Sequence, residues 1–295
     1  MCPEHTIDVQ TIGGRQLAHV FAPDGPPDVV LAVLPALGIR AAYYRCFASE
    51  MAARGICTVL ADWPGHGDSG LRAHPLGRQW GYPELVDQHA RGVCEAAMQH
   101  VPGVPFSWIG HSIGGQVCLM HAGRNRSSVA AVVVIASGSP HFRSWPGVDG
   151  WKVRGSALLA AAVSRSTGFF PGDKLGFGGR ESGRLMRQWA GVVRSGEFRL
   201  DAFDGEGALA AWDGKTFACR LQGDDWAPER SLETLLARIA DASVERWLWS
   251  VADGINHNNW PRDPVPAADK IAPWLKAAVH HEASNLRSGA DQQGR

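Results

Sequence analysis

The sequence predicts an α/β protein with a mostly parallel central sheet that is covered by helices on both faces. Short, uninterrupted apolar runs recur along the chain, at Val29–Leu34, Ile56–Ala61 and Val129–Ala136. Such runs are typical of strands that are buried on both faces, because a strand with one wet face alternates apolar and polar residues. Helix-like segments separate the runs, including Tyr43–Arg54 and Pro83–Gln99. Strands that alternate with helices at this spacing indicate parallel pairing through helical crossovers.

Further elements extend this alternation at both ends of the chain. Thr6–Gln10 and Gln16–Phe21 flank a Gly-Gly turn and predict a hairpin at one edge of the sheet. After residue 214 the pattern resumes with a strand, a helix, a second strand and a final helix, predicted at Phe217–Leu221, Arg230–Ala240, Val244–Val251 and Pro266–Val279. The sheet therefore draws on both the first and the last part of the sequence.

Residues 139–214 interrupt the alternation and predict an insertion. The segment has little strand character, is rich in glycine and proline turns, and contains Trp145, Trp151, Trp189 and Trp212. These tryptophans are candidates for lining a ligand pocket, although large aromatic side chains more often pack within a core. The predicted organisation is an α/β core at 1–138 and 215–279, a helical cap or lid at 139–214, and a disordered tail at 280–295.

Composition and charge exclude several classes of protein. The 295 residues carry 29 basic and 29 acidic side chains, and no block of like charge suggests a nucleic-acid or membrane partner. The longest apolar run, Val129–Ala136, is too short to span a bilayer, and the polar N-terminus predicts no signal peptide. Six scattered cysteines without a C-x-x-C pair favour reduced thiols in a cytoplasmic protein over disulfides or a zinc site. We predict no metal and no cofactor, and the sequence leaves the oligomeric state open.

The pattern Gly110-His111-Ser112-Ile113-Gly114 predicts the reactive residue. It stands between a strand-like segment, Phe106–Ile109, and a helix-like one, Ile113–Ala122. In a G-x-S-x-G turn the serine is held at the tip of a strand, and the glycines allow the strand and the helix to approach each other. We therefore predict that Ser112 is a nucleophile. His111 is expected to pack behind the turn.

Two later loops supply candidates for the acid and the base that would activate this serine, in the chain order that such turns require. Strand Phe217–Leu221 is followed by Asp224 and Asp225. We favour Asp225 because it begins an Asp-Trp-Ala-Pro turn, and Asp224 is the alternative; either residue could instead only cap the turn. His257 follows Val244–Val251 and precedes the final helix, which makes it the predicted general base.

Backbone amides are the candidates for holding the negative charge that develops on a substrate oxygen. One N–H group should come from Ile113, which follows the serine and opens a helix. The other should come from the loop after Val29–Leu34, where we favour Leu37 and place Ala36 second. The same loop could be an ordinary strand-to-helix turn.

Two longer motifs give the chain a family resemblance. Asp62–Ser69 resembles the D-x-x-G-x-G-x-S turn of the α/β-hydrolase superfamily, and Gly110–Gly115 resembles its G-H-S-x-G-G elbow. The resemblance extends over nearly the whole chain and implies an α/β-hydrolase fold with a Ser-Asp-His triad. His66, within the first motif, is expected to be structural. Many relatives carry His-Gly where this chain has Pro35-Ala36. This difference affects the predicted geometry of the second oxyanion donor but not the triad residues.

The expected function is that of a serine hydrolase that cleaves a carboxylic ester or thioester of a small-molecule acyl substrate through an acyl-enzyme. An acyltransferase would use the same triad, with a second substrate in place of water. A non-enzymatic binding protein on the same fold is the third hypothesis, although such a protein has no need of all three triad residues. The sequence does not identify the substrate.

Overall fold

An eight-stranded sheet forms the centre of the molecule. The computed structural model describes residues 4–240 and 243–292, and from residue 281 onward only the backbone. The strands are, in chain order, β1 (Glu4–Thr11), β2 (Gly14–Phe21), β3 (Val29–Leu34), β4 (Ile56–Ala61), β5 (Phe106–His111), β6 (Ala131–Ile135), β7 (Phe169–Pro171), β8 (Arg180–Ser182), β9 (Arg199–Leu200), β10 (Phe203–Asp204), β11 (Lys215–Leu221) and β12 (Val244–Trp249). The large sheet has the order β1-β2-β4-β3-β5-β6-β11-β12. In this sheet β2 runs in the direction opposite to the other seven strands, so its pairings with β1 and β4 are antiparallel and the remaining pairings are parallel.

The apolar runs of the sequence occupy the middle of this sheet. Every residue of β3, β4, β5 and β6 is buried. Helices cover both faces, so each side chain of these strands meets an apolar layer whichever way it points. Strands β3 and β4 begin and end at the predicted residues, and the predicted edge hairpin is present as β1 and β2.

Helices pack on both faces of the sheet. They are α1 (Arg45–Ala53), α2 (Tyr82–Glu84), α3 (Arg91–His100), α4 (Ile113–Arg124), α5 (Gly147–Thr167), α6 (Gly172–Leu175), α7 (Gly183–Ser195), α8 (Gly205–Ala210), α9 (Glu229–Leu236) and α10 (Pro264–Gln292), with a π-helical segment at Leu85–Ala90 and short 3-10 turns at Ala41–Tyr44, Arg126–Ser128, Phe142–Ser144 and Trp260–Arg262. Phe47 of α1 and Ile271 of α10 belong to the apolar cluster on one face. Val93 of α3, Val117 of α4 and Leu235 of α9 belong to the cluster on the other face.

Residues 139–214 leave the sheet between β6 and β11 and return to it. The two flanking strands pair directly with each other, so the insertion adds no strand to the large sheet. It consists mainly of α5, α7 and the short helices α6 and α8, with two small two-stranded sheets, β7-β8 and β9-β10. Ala157 and Ala161 of α5 pack with Val193 of α7 in a separate apolar cluster. Small side chains on α5 thus let these two helices approach each other.

The final helix is longer than the sequence predicts. We expected it to end at Val279 and to be followed by a disordered tail from His280, whereas α10 continues to Gln292. The residues after Val279 include alanine, leucine and glutamate and lack proline, so their backbone can remain helical. In the part of the chain that the structure describes, no helix is both long enough and apolar enough to cross a membrane.

The described cysteines carry no disulfide. Cys57, Cys94, Cys118 and Cys219 are buried, and Cys46 is exposed. Cys2 lies outside the described residues. Burial raises the pKa of the Cys57 thiol to about 11, so this thiol is un-ionised at neutral pH.

Candidate active site

Ser112 occupies the turn between β5 and α4. Its backbone has φ +55° and ψ −119°, a rare conformation for a residue with a side chain. Such conformations cost on the order of 1–3 kcal/mol and persist where neighbouring contacts impose them. Here the Ser112 N–H donates to the Ile135 carbonyl (3.1 Å), and the Ser137 hydroxyl donates to the Ser112 carbonyl (2.6 Å). These bonds hold the half-buried Ser112 at the carboxyl edge of the sheet.

The glycines on either side of Ser112 are required by the close approach of backbone segments. A Cβ at Gly110 would lie 2.3 Å from the Gly115 nitrogen. A Cβ at Gly114 would lie 2.2 Å from the Leu34 carbonyl oxygen. Both distances are far below van der Waals contact, and the atoms concerned are backbone atoms that cannot move aside. The Gly-x-Ser-x-Gly pattern therefore has a steric cause in this fold.

His257 and Asp224 form a buried hydrogen-bonded pair beside this turn. The His257 Nδ1 atom lies 2.9 Å from Asp224 Oδ2, and the two side chains are 6% and 1% exposed. The other carboxylate oxygen, Asp224 Oδ1, accepts from the backbone N–H groups of Trp226 (2.8 Å) and Ala227 (3.2 Å). Because the turn fixes one oxygen, the second oxygen is held towards the imidazole.

The structure places the favoured candidate, Asp225, away from His257. The Asp225 side chain is exposed, and the polar contact of this residue is made by its backbone carbonyl, which accepts from the Trp145 indole N–H (2.7 Å). Consecutive residues in a turn point in different directions, and here only Asp224 reaches His257. Asp224 is therefore the candidate whose side chain is hydrogen-bonded to His257.

His257 lies beside the residue that precedes Ser112 in the chain. Its ring centroid lies 5.1 Å from that of His111, the residue before the serine, and 6.2 Å from the ring of Trp226. Among the described residues, no hydrogen bond joins the Ser112 hydroxyl to His257. Bonds of this kind are often long in a resting site and shorten when substrate binds.

The oxyanion candidates differ in whether their N–H groups are already used. The Ala36 N–H donates to the Tyr44 hydroxyl (3.1 Å), which removes Ala36 from the set of free donors. The N–H groups of Leu37 and Ile113 have no acceptor among the described residues, and both residues line the same cavity. In the described part of the chain, the N–H groups of Leu37 and Ile113 are therefore unpaired, whereas that of Ala36 is not.

Tyr44 connects this loop to the nucleophile turn, a connection that the sequence did not predict. Its hydroxyl lies 2.7 Å from His111 Nδ1 and is fully buried. Burial lowers the pKa of His111 well below 6.5, and the neighbouring His257 adds to the effect, so His111 is neutral. The Tyr44 hydroxyl, which accepts from Ala36, can therefore donate its proton to His111. Tyr44 lies in a 3-10 turn, and its hydrogen bond to a residue 67 positions away in the chain could be identified only from the structure.

His66 joins the turn after β4 to the segment 139–214. Its Nε2 atom lies 3.0 Å from Glu181 Oε1, and that oxygen also accepts from the Gly179 N–H (3.0 Å). Both side chains are buried. Burial acts to lower the pKa of His66, but the hydrogen bond and charge of Glu181 outweigh it and raise the pKa above 6.5. The pair therefore ties the turn after β4 to strand β8 of the insertion.

The His66–Glu181 pair should make the stability of the protein depend on pH. A raised folded-state pKa means that His66 contributes stability below about pH 6.5, and that this contribution is lost as the pH rises through the folded pKa. We expect the difference in urea midpoint between the wild type and His66→Gln to shrink from about pH 6 to about pH 9. The same change at the exposed His74 serves as the control. A difference that stays constant across this range would contradict the assignment.

A small cavity is lined by residues from the first part of the chain and from the segment 139–214. It has a volume of about 10 Å³ and is lined by Leu37, Trp63, Trp80, Leu85, Ile113, Glu181 and Leu185. The four tryptophans of residues 139–214, which the sequence favours as packing residues over pocket residues, are not among them; the two indoles are those of Trp63 and Trp80. Among the described residues, no group of three or more histidine, cysteine, aspartate or glutamate side chains is placed to hold a metal ion.

Comparison with known proteins identifies the family. A family model described as the Alpha/beta hydrolase family matches residues 29–278. The chain belongs to this family. This alpha/beta hydrolase is 29% identical over 235 residues to the pimeloyl-[acyl-carrier protein] methyl ester esterase of Cronobacter sakazakii (strain ATCC BAA-894), a match that covers 73% of the chain and 82% of the relative.

Solved structures agree with this alpha/beta hydrolase in fold. The monoacylglycerol lipase of Paleococcus ferrophilus aligns with a TM-score of 0.60 at 16% identity, covering 88% of this chain and 98% of that one. The thioesterase domain from the curacin biosynthetic pathway aligns with a TM-score of 0.58 at 15% identity, covering 92% and 99%. The predicted fold class is confirmed, and the protein is an α/β-fold hydrolase.

Proposed function

We propose that this alpha/beta hydrolase cleaves a carboxylic ester or thioester of a small-molecule acyl substrate, with Ser112, His257 and Asp224 as its catalytic triad. The observation that carries the proposal is the buried hydrogen bond between His257 Nδ1 and Asp224 Oδ2 (2.9 Å), beside the strained turn of Ser112. An acid at Nδ1 leaves the other ring nitrogen of His257 free to accept a proton. This is the tautomer that a general base for a serine requires.

The reaction follows from these positions. Ser112 Oγ attacks the acyl carbonyl while His257 takes the hydroxyl proton, and Asp224 stabilises the imidazolium that forms. When the bond from the carbonyl carbon to the leaving oxygen or sulfur breaks, His257 returns the proton to the leaving group. Water then attacks the acyl-enzyme with His257 again acting as base, and the free acid leaves. The serine is restored with its own proton.

The negative charge on the carbonyl oxygen would be held by two backbone amides. The N–H groups of Leu37 and Ile113 have no acceptor among the described residues, and Ile113 is the first residue of α4, where the helix dipole favours negative charge. In such sites each donor contributes about 10²- to 10³-fold to the rate. The Cronobacter relative, which is named as a methyl ester esterase, supports ester hydrolysis as the reaction.

We further propose that residues 139–214 form a cap over the site and that residues 1–138 and 215–279 form the core. Glu181 and Leu185 of this segment line the cavity beside the oxyanion donors. Trp145 bonds to the loop that carries the triad acid. A segment that supplies walls of the site without adding a strand to the sheet is well placed to determine which substrates enter.

A fluorophosphonate probe tests the triad directly. Ser112 Oγ should displace fluoride and form a stable adduct, which mass spectrometry locates on the peptide that contains Ser112. We expect labelling of the wild type, none of Ser112→Ala, and undiminished labelling of Ser156→Ala, a change at an exposed serine of α5.

Three outcomes would count against the proposal. Labelling that persists in Ser112→Ala would remove Ser112 as the nucleophile. A wild type that the probe does not label would favour a binding protein. Release of acyl groups from p-nitrophenyl esters only to an added alcohol, and not to water, would favour an acyltransferase.

A further inference from the structure

Trp226 lies beside the proposed general base and is largely open to solvent. Its ring centroid is 6.2 Å from that of His257, and 55% of the residue is exposed. The ring of His111, which also lies beside His257, is buried. The backbone N–H of Trp226 donates to Asp224 Oδ1 (2.8 Å), so the turn that holds the acid also fixes the position from which the indole extends. Trp226 is therefore an exposed apolar surface in contact with the triad.

Segment 139–214 contributes a second aromatic ring to this surface. Phe177 stacks on Trp226, with ring centroids 5.8 Å apart and ring planes 8° from parallel. Phe177 also lies 5.6 Å from the ring of Trp189 in α7. Aromatic pairs of this kind stabilise one relative orientation of the two rings. The indole of Trp226 is thus held in place although it faces solvent.

The loop that carries Phe177 also touches the proposed oxyanion loop. A Cβ at Gly38, the residue after Leu37, would lie 2.3 Å from the Gly178 carbonyl carbon. The loop thus contacts the oxyanion loop through its backbone, and through Phe177 it contacts the indole beside His257. A reacting carbonyl must lie within reach of both the Leu37 N–H and His257. The two aromatic rings therefore lie at the histidine end of the region where the carbonyl would react.

The leaving group of an ester or thioester must lie at this same end. Its oxygen or sulfur receives a proton from His257 as the bond to the carbonyl carbon breaks, so this atom comes within hydrogen-bond distance of the imidazole. The group attached to it extends from there, and the exposed ring beside the imidazole is that of Trp226. No closed cavity is needed, because more than half of Trp226 faces solvent. This placement rests on the proposed function, because it takes His257 as the base that serves Ser112.

From these contacts we propose that Trp226 binds the leaving group, and that the substrate is an ester or thioester of an apolar alcohol or thiol, with an aromatic ring preferred. An indole favours such a group through the apolar area that the contact buries and through stacking. A methyl or ethyl group covers little of the indole and gains little from it. Phe177 is a positioning residue, since its stack holds the indole in place.

Two esters of the same acid test this proposal. 2-Phenylethyl acetate and ethyl acetate form the same acyl-enzyme, have nearly the same intrinsic reactivity, and differ in the leaving group. We compare kcat/KM, which reports the steps up to release of the alcohol, by titrating the acetic acid that is formed. The wild type should favour the phenylethyl ester by at least about tenfold. Trp226→Ala should remove most of this preference by slowing the phenylethyl ester, while the ethyl ester stays within about twofold of the wild type.

Trp151→Ala is the matched control, because Trp151 is 61% exposed on α5. This change removes the same side chain at another exposed position and should leave kcat/KM for both esters unchanged. Trp226→Phe keeps an aromatic face and should retain most of the preference for the phenylethyl ester.

Several results would overturn the inference. One is a wild type that hydrolyses the two acetates equally well, a result that needs no variant and so does not depend on how Trp226→Ala folds. Another is an equal loss of kcat/KM for both esters in Trp226→Ala, since Trp226 would then only support His257 or Asp224. A third is a Trp226→Ala variant that keeps the preference of the wild type.

Fluorophosphonate labelling in the same preparations separates this inference from the proposed function. If Ser112 is labelled and Trp226→Ala treats the two esters as the wild type does, the leaving-group contact is wrong and the triad stands. If Ser112 is not labelled, the triad is wrong and the leaving-group contact falls with it.

Discussion

Replacing Asp224 with asparagine should lower kcat by about 10³- to 10⁴-fold and change KM little. Asparagine keeps an oxygen for the N–H groups of Trp226 and Ala227, so the turn should survive. Its amide group would then face His257 Nδ1 and donate a hydrogen bond to it. The ring proton would move to the other nitrogen, where His257 can no longer accept the proton of Ser112. Steady-state kinetics with p-nitrophenyl acetate measures the effect.

Asp225→Asn supplies a matched control for this experiment. It removes the same charge one residue away, at an exposed position, and should leave kcat within about twofold of the wild type. A general effect of net charge on the site would lower the kcat of both variants equally. If Asp225→Asn loses most of its activity while Asp224→Asn keeps it, Asp225 is the acid after all.

Tyr44→Phe should lower kcat by about 10- to 100-fold. This loss is smaller than the loss expected when an oxyanion donor itself is removed, because Tyr44 acts on the donor only through the loop. The change keeps the ring and its packing and removes one hydroxyl. The Ala36 N–H and His111 Nδ1 would both lose a buried partner, at a cost of about 1–3 kcal/mol in the free energy of unfolding. The loop could then turn so that Ala36 competes with Leu37 for the substrate oxygen. Tyr44 is a positioning residue in this account.

The neighbouring residue provides the control for Tyr44. Tyr43 is half-buried, and its hydroxyl has no hydrogen-bond partner in the described part of the chain. Tyr43→Phe should therefore leave both kcat and the free energy of unfolding unchanged. Rates are compared per labelled Ser112, which removes the contribution of unfolded protein. A purely structural role for Tyr44 would lower the melting temperature and leave kcat per labelled site unchanged, and that result would contradict the prediction.

The central sheet was predictable because its strands are buried on both faces. Strands β3 and β4 begin and end where their apolar runs do, since a polar residue in the middle would have no water to face. The end of α10 was harder to predict. No proline stops the helix near Val279, and a polar surface composition suits a helix and a disordered tail equally well.

Parts of the candidate site were predictable for a local reason. Ser112 sits in a pattern whose glycines are demanded by contacts within a few residues and with the adjacent strand. His257 follows the last strand of the sheet, where the carboxyl ends of parallel strands converge. The cavity had no such pattern, because Trp63, Trp80 and Glu181 come from three separate segments of the chain.

The sequence by itself determined the α/β class, the family resemblance, the turn around Ser112 and the position of His257, because each depends on residues close together in the chain. Only the tertiary structure shows that Asp224 rather than Asp225 contacts His257, and that the N–H of Ala36 rather than that of Leu37 is bonded to Tyr44. In both cases the two residues are neighbours with equal chemistry, and the choice depends on which group meets a partner from a distant segment. For Asp224 that partner is His257, and for Ala36 it is Tyr44.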